Sequence, residues 1–294
     1  MKKNYKLTLW LVSFIIILFA GDRLLSAALM HLVDSSEFRY SRMYRGEAQC
    51  DILLVGNSRG LPLYQPYIEN ETGKKTFNIS YNGLPTKVAL PLLEDYFEMY
   101  EPPKTVLIEA TMGGQRPELT ENFKLYTDKS ERLRGVLMDT NPKALFFSEM
   151  FHLYKFNSEV FQRSLYYMDK SDTTWLNDRV INTRLLDKKY MKQFDVKLDE
   201  RAVDDFNKII DLCKSKGSEV HFIVSPYYPE FRNTASNFDA YKEALSERIG
   251  HPLYDYSLLI NDPTAFADYL HINKKGSKTY IKKMHEDGIL ISLN

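Results

Sequence analysis

The chain is 294 residues long, 44% hydrophobic and 27% charged, a globular composition that excludes a disordered or fibrous protein. Its 39 Lys and Arg balance 39 Asp and Glu, which leaves neither the basic excess of a nucleic-acid binder nor an acidic solvating tail. Two cysteines, Cys50 and Cys213, are too few for a disulfide framework or a thiolate cluster.

Lys2, Lys3 and Lys6 precede an uncharged run from Leu7 to Gly21, which ends at Asp22 and Arg23. As a helix that run covers only ~22 Å of a ~30 Å hydrocarbon core. It therefore reads as a signal peptide, or as an uncleaved anchor continuing through 24–33 with Asp22 and Arg23 at an interface or facing a partner. A buried N-terminal helix is the third reading. Ser26-Ala27-Ala28 is a weak cleavage site, so residues 1–35 are expected to form an anchor with a juxtamembrane helix. The leading lysines place the N-terminus inside and the main domain outside the cell membrane.

Residues 51–56 (DILLVG) form a short apolar run ending in Gly, suited to a buried parallel strand. Residues 60–72 suit a helix or turn, 76–80 a second strand, 86–100 a helix stopped by Pro102-Pro103, and 105–110 a third strand. Residues 200–216 carry apolar side chains at helical spacing before Gly217, and 219–226 is a fourth strand. A helix over 237–249, a short strand near 251–257 and a helix over 276–288 complete the pattern. Alternating strands and helices predict an α/β fold with a parallel sheet over 48–294. The segment 115–197 breaks the rhythm and reads as a mostly helical insertion over one end of the sheet.

Chemistry concentrates at two places. In DILLVGNSRG, Ser58 directly follows a buried strand between Gly56 and Gly60, at the carboxyl end where open α/β sheets place their sites. The alternative is a helix-capping serine. In ADYLHINKKG, Asp268 and His271 lie three apart and can share a face, so the carboxylate can orient the imidazole toward a serine. A capping Asp and a surface His are the alternative.

Taken together, Ser58 near the start and Asp-x-x-His near the end resemble the SGNH (GDSL-like) hydrolases over roughly residues 50–290. The family's Gly-Asp-Ser stands here as Gly56-Asn57-Ser58. Its second block is matched by Asn78-Ile79-Ser80-Tyr81-Asn82-Gly83, which implies that Gly83, with the Ser58 amide, forms the oxyanion hole. Its third block, Gly-x-Asn-Asp, is absent. Thr111, Gly113, Gly114 and Gln115 stand there instead and none can be assigned. With the N-terminal segment, the pattern is similar to the membrane-tethered branch that includes the teichoic acid D-alanyl transfer protein and alginate O-acetylation proteins.

The resemblance implies a flavodoxin-like three-layer SGNH fold and a serine esterase or O-acyltransferase without cofactor. It implies Ser58, His271 and Asp268 as the triad, a cell-envelope polysaccharide as acceptor and a membrane-bound O-acyltransferase as partner. A non-catalytic scaffold subunit of a polysaccharide assembly complex and a lipase-like esterase acting on lipid are the competing functions.

Arg59 reads as a contact to an anionic substrate group or as a salt-bridge partner. Tyr227 and Tyr228 read as sugar-stacking or packing residues. Glu109 reads as a structural hydrogen-bonding group and His221 as a core histidine. Tyr154, Tyr166, Tyr167 and Trp175 are expected to hold a polymer or to pack the insertion. No two histidines have metal-ligand spacing, so no metal is expected.

Overall fold

The computed structural model describes residues 2–171, 176–187, 189 and 191–290. In chain order the elements are α1 (Lys2–Ser35), α2 (Arg39–Tyr44), β1 (Ile52–Val55), α3 (Gln65–Thr72), β2 (Thr76–Asn78) and α4 (Thr86–Met99). Then come β3 (Thr105–Glu109), α5 (Pro117–Thr120), α6 (Glu131–Thr140), α7 (Pro142–Met150), α8 (Glu159–Tyr166) and α9 (Glu200–Ser215). The chain closes with β4 (Glu219–Val224), α10 (Pro229–Arg232), α11 (Phe238–Ile249), β5 (Leu253–Asp255) and α12 (Lys274–Glu286).

The chain divides into two compact units, residues 1–45 with 117–171, and residues 46–116 with 172–294. The expected insertion over 115–197 is thus shared between them. Its first part groups with the N-terminal helix, while Ile181, Leu185 and Phe194 pack among residues of the sheet unit.

The second unit is built on a five-stranded sheet in the order β2-β1-β3-β4-β5, all parallel. This is the parallel sheet that the alternating strands and helices predict, in the flavodoxin-like order that the resemblance implies. The strands are short and apolar because both faces are covered. Ile52, Leu54, Leu107 and Ile223 point to one side, into a core with Ile68 of α3 and Tyr280, Ile281 and Met284 of α12. On the other side Phe222 meets Phe206 of α9 edge-on at 5.2 Å, and α9 packs on α4. Each such side chain, fully buried, contributes ~1.5–3 kcal/mol.

Caps fix where the helices start. Asp199 accepts from the Arg201 amide at the head of α9. Asn273 accepts from Lys275 and Gly276 at the head of α12, while its amide group donates to the carbonyls of Thr264 and Arg179. Asn273 therefore anchors the loop that arrives from His271. Both cysteines are free and buried, and Cys50 lies 3.1 Å from the Tyr96 hydroxyl. His221 sits on β4, paired with Glu219 and edge-on to Tyr254.

In the first unit, α1 is long and apolar enough to cross a membrane, and its side chains from Leu7 to Phe19 are exposed. The two charges that end the apolar run are engaged within the unit. The Asp22 carboxylate accepts from the amides of His152 (2.8 Å) and Leu153 (3.0 Å), at the head of the 3-10 helix His152–Phe156. Arg23 pairs with Asp22 and donates to the carbonyls of Glu149 and Met150. Tyr40 packs edge-on against Phe123 and Tyr126, which joins α2 to the segment after α5. Lys124 is buried, with Glu121, the Asn157 carbonyl and the Tyr154 ring around its ammonium.

Candidate active site

The turn that carries Ser58 follows from what surrounds β1. A Cβ on Gly56 would lie 2.8 Å from the Glu109 Cβ and 3.0 Å from the Gly60 Cα. One on Gly60 would lie 2.6 Å from the Ser80 Oγ. Only glycine allows the chain to fold back so closely after the strand. Asn57 staples the turn. Its Oδ1 accepts from the Arg59 amide at 2.9 Å, its carbonyl accepts from the Gly60 amide, and its Nδ2 donates to the Thr111 carbonyl at 3.1 Å. An aspartate could not make that last bond, because an ionised carboxylate only accepts.

Ser58 is thereby presented at the carboxyl end of β1. Its Oγ lies 2.8 Å from His271 Nε2. His271 Nδ1 lies 2.9 Å from each carboxylate oxygen of Asp268. The local fold explains the pairing. Phe266 and Ile272 form an antiparallel bridge, and the Ala267 amide donates to the His271 carbonyl, so residues 267–271 make a tight turn. Asp268 Oδ1 also accepts from the amides of Leu270 (2.8 Å) and His271 (3.0 Å).

Burial works against the charge on Asp268. The His271 hydrogen bond and charge, with the two amides, outweigh it and hold the carboxyl below its usual range. A carboxylate facing Nδ1 selects the tautomer with hydrogen on Nδ1, leaving Nε2 to accept from the serine hydroxyl.

Gly83 lies in the turn after β2, closed by the Leu84 amide on the Tyr81 carbonyl, with φ +65°. That left-handed backbone is open to glycine and strained for other residues. The Tyr81 amide donates to the Gly56 carbonyl, which ties this turn to the Ser58 turn. Asn78 is a buried strut: its Nδ2 donates to the carbonyls of Gly60 and Leu63, and its Oδ1 accepts from Ser80. The amides of Ser58 and Gly83 have no acceptor among the described residues.

At the third block, Thr111 donates from both its amide and its hydroxyl to Glu109 Oε2. The Gly114 amide is held by Asp199 at 2.8 Å, and Arg201 binds the side-chain oxygen of Gln115. The Gly113 amide, in contrast, has no acceptor among the described residues.

Three residues considered for substrate contact are placed elsewhere. Arg59 is only 5% exposed. Its guanidinium pairs with the fully buried Glu109, donates to the carbonyls of Leu270 (3.0 Å) and Ser225, and lies 3.3 Å from the centre of the Tyr227 ring. It is a salt-bridge partner, the second of the two roles that the sequence offers it. Tyr227 and Tyr228 are likewise buried and cannot stack on a sugar. Tyr227 is covered by Arg59, Phe194 and Phe238, and Tyr228 by Phe266 and Tyr269.

Of the aromatics expected to hold a polymer, Tyr154 donates to Glu121 and Tyr167 stacks on Phe38. Tyr166 is exposed, and Trp175 lies outside the described residues. No group of three or more His, Cys, Asp or Glu poised to hold a metal occurs among the described residues.

The role of Arg59 as a tie between Glu109, Ser225 and Leu270 is absent from the sequence reading, although each end carried a signal. An Arg directly after Ser58 and a Glu closing the third strand are opposite charges delivered to neighbouring strand ends.

No protein-family model matches the chain, and no curated protein matches it. Among solved structures, a Bacteroides fragilis protein provisionally described as an acylhydrolase is similar at 10% identity, over 83% of this chain and 88% of that one, with a TM-score of 0.39. A Streptococcus pneumonia protein provisionally described as a platelet activating factor is similar at 11% identity, over 97% and 99%, with a TM-score of 0.41.

Proposed function

We propose that the chain is a membrane-anchored, SGNH-type serine esterase or O-acyltransferase that works through a Ser58 acyl-enzyme. The observation that carries this reading is the continuous relay Ser58 Oγ–His271 Nε2 and His271 Nδ1–Asp268, at the carboxyl end of a parallel sheet.

In the first step Ser58 Oγ attacks the acyl carbonyl and its proton passes to His271 Nε2. Asp268 stabilises the imidazolium without taking the proton. The amides of Ser58 and Gly83 face the developing oxyanion, and each such donor is worth ~2.7–4 kcal/mol in the transition state. The C–O bond to the leaving alkoxide breaks, and His271 returns the proton to that oxygen. In the second step an acceptor hydroxyl gives its proton to His271, attacks the acyl carbon and releases Ser58. Water in the acceptor position makes the enzyme an esterase, and a sugar hydroxyl makes it a transferase.

Two amide donors without the family's asparagine support a slow hydrolase. Positioning a bound acceptor supplies ~7–11 kcal/mol and compensates in transfer. An extracytoplasmic polysaccharide is the acceptor we favour, with a membrane-bound O-acyltransferase delivering the acyl group. The test compares p-nitrophenyl acetate turnover by the full chain with and without envelope oligosaccharides. Hydrolysis that depends on Ser58, with acetyl appearing on the sugar, supports the reading. Turnover unaltered by Ser58→Ala overturns it.

A further inference from the structure

Within the first unit, α7 sorts its side chains by face. Ala144, Leu145 and Ser148 are buried, while Phe146, Phe147 and Met150 are exposed. Phe151 and Leu153 continue the exposed set beyond the helix. Phe146 is 54% and Phe151 50% exposed. Single exposed apolar residues are ordinary on a soluble surface, but five large ones within eight positions form a patch.

This stretch is fastened to α1 at one level. Arg23 holds the carbonyls of Glu149 (3.4 Å) and Met150 (3.3 Å), and Asp22 holds the amides of His152 and Leu153. Met150, Phe151 and Leu153 therefore stand beside the point where the apolar run of α1 ends. The apolar run from Leu7 to Gly21 rises ~22 Å at ~1.5 Å per residue, and snorkelling of Lys6 with local thinning of the bilayer accommodates the shortfall against a ~30 Å hydrocarbon core. The Arg23 guanidinium lies 4.1 Å from the centre of the Phe19 ring, within the last apolar turn.

We propose that Phe146, Phe147, Met150, Phe151 and Leu153 are seated in the headgroup–acyl boundary of a lipid bilayer, at the end of α1 marked by Asp22 and Arg23. The inference rests on reading α1 as membrane-spanning. Lipid is the favoured occupant because the patch continues an apolar surface that already runs along α1, where Leu18 and Phe19 are exposed. Aromatic and other bulky apolar side chains on a helix face are suited to that boundary. The patch then fixes the first unit against the membrane surface, rather than leaving it to swing on a single helix.

The test uses the full chain in phosphatidylcholine–phosphatidylglycerol vesicles, with the fluorophore NBD attached at one introduced cysteine. Cys50 and Cys213 are buried, with thiols pushed up to about 12 by burial, and so label slowly. Phe147→Cys and Phe151→Cys report the patch, Ile15→Cys reports the span, and Glu131→Cys, at a side chain 88% exposed, reports solvent.

The expected result is quenching of positions 147 and 151 by lipids spin-labelled near the headgroup, with iodide quenching several-fold weaker than at position 131. Position 15 should be quenched by lipids labelled deep in the chain. If position 15 is quenched by lipid while 147 and 151 stay open to iodide, the inference is overturned and the span stands. If position 15 escapes lipid quenching, the span fails and takes the inference with it. Shielding of 147 and 151 from iodide without lipid quenching shows a second copy on this face and also overturns it. Agreement between positions 147 and 151 guards against one disturbed variant.

Discussion

Arg59 donates from its guanidinium to the Leu270 carbonyl at 3.0 Å, so the residue after Ser58 holds the residue before His271. The same guanidinium reaches Glu109 at the end of β3 and the Ser225 carbonyl after β4. One side chain thus ties the neighbours of Ser58 and His271 in sequence to the ends of β3 and β4.

Replacing Arg59 by Met leaves the Glu109 carboxylate buried without its partner. Such a loss costs ~3–5 kcal/mol. Denaturant unfolding of Arg59→Met should show a fall of that order, and adding Glu109→Leu should recover part of it. Arg59→Lys keeps the charge but loses the fork that spans three acceptors. Its kcat on a small ester should fall by up to about 10²-fold with little change in KM, because the His271 loop shifts while substrate contacts remain. Equal stability and equal kcat in all three variants would show that the network is incidental.

Asn57 stands where the SGNH hydrolases that the sequence resembles carry Asp, and the aspartate should be worse here. Asn57→Asp removes the Nδ2 donor and sets a carboxylate against the Thr111 carbonyl. The expected loss is ~1–3 kcal/mol, the cost of a buried acceptor left unmet. Thermal unfolding measures it, and an unchanged or raised midpoint would contradict the assigned bond.

Asp268→Asn should lower kcat by about 10⁴-fold, because the amide no longer selects the Nδ1–H tautomer. The same pair leaves a mark on stability. The Asp268 carboxyl is held below its ordinary value in the folded protein, so the unfolded chain takes up the proton first as pH falls. The stabilisation is full above the unfolded value of about 3.9 and is lost as pH drops through the folded one. The gap between the unfolding free energies of wild type and Asp268→Asn should therefore shrink as pH falls below about 4. A gap that widens on acidification would contradict the sign.

The parts of this fold that were legible in the sequence are those set by local physics. Short apolar runs such as 52–55 and 105–109 announce buried parallel strands because both faces are covered. Asp268 and His271 were legible because three-residue spacing brings them together in one turn. The Arg59 network was not, since its acceptors lie 50, 166 and 211 positions away.

Tyr227 and Tyr228 follow a strand and so read as sugar-stacking or packing residues, and the second reading holds. They are buried because Phe194 and Tyr269, brought by distant segments, close over them. The grouping of 117–171 with the N-terminal helix draws on Asp22 and Arg23, which in sequence read as charges at an interface or facing a partner, and on Tyr40 packed against Phe123 and Tyr126, which local spacing does not announce.

The central claim is that Ser58 is an activated nucleophile, and a fluorophosphonate reads this directly. The serine oxygen displaces fluoride from phosphorus, and only a hydroxyl whose proton is drawn off by a base reacts quickly. Intact-mass analysis of the full chain should show one phosphonyl adduct, mapped to Ser58 by peptide fragmentation. The adduct should be absent from Ser58→Ala and strongly slowed in His271→Ala, with both variants folded as judged by unchanged thermal midpoints. A folded wild-type chain that takes up no label, or takes it up at a different serine, would contradict the account.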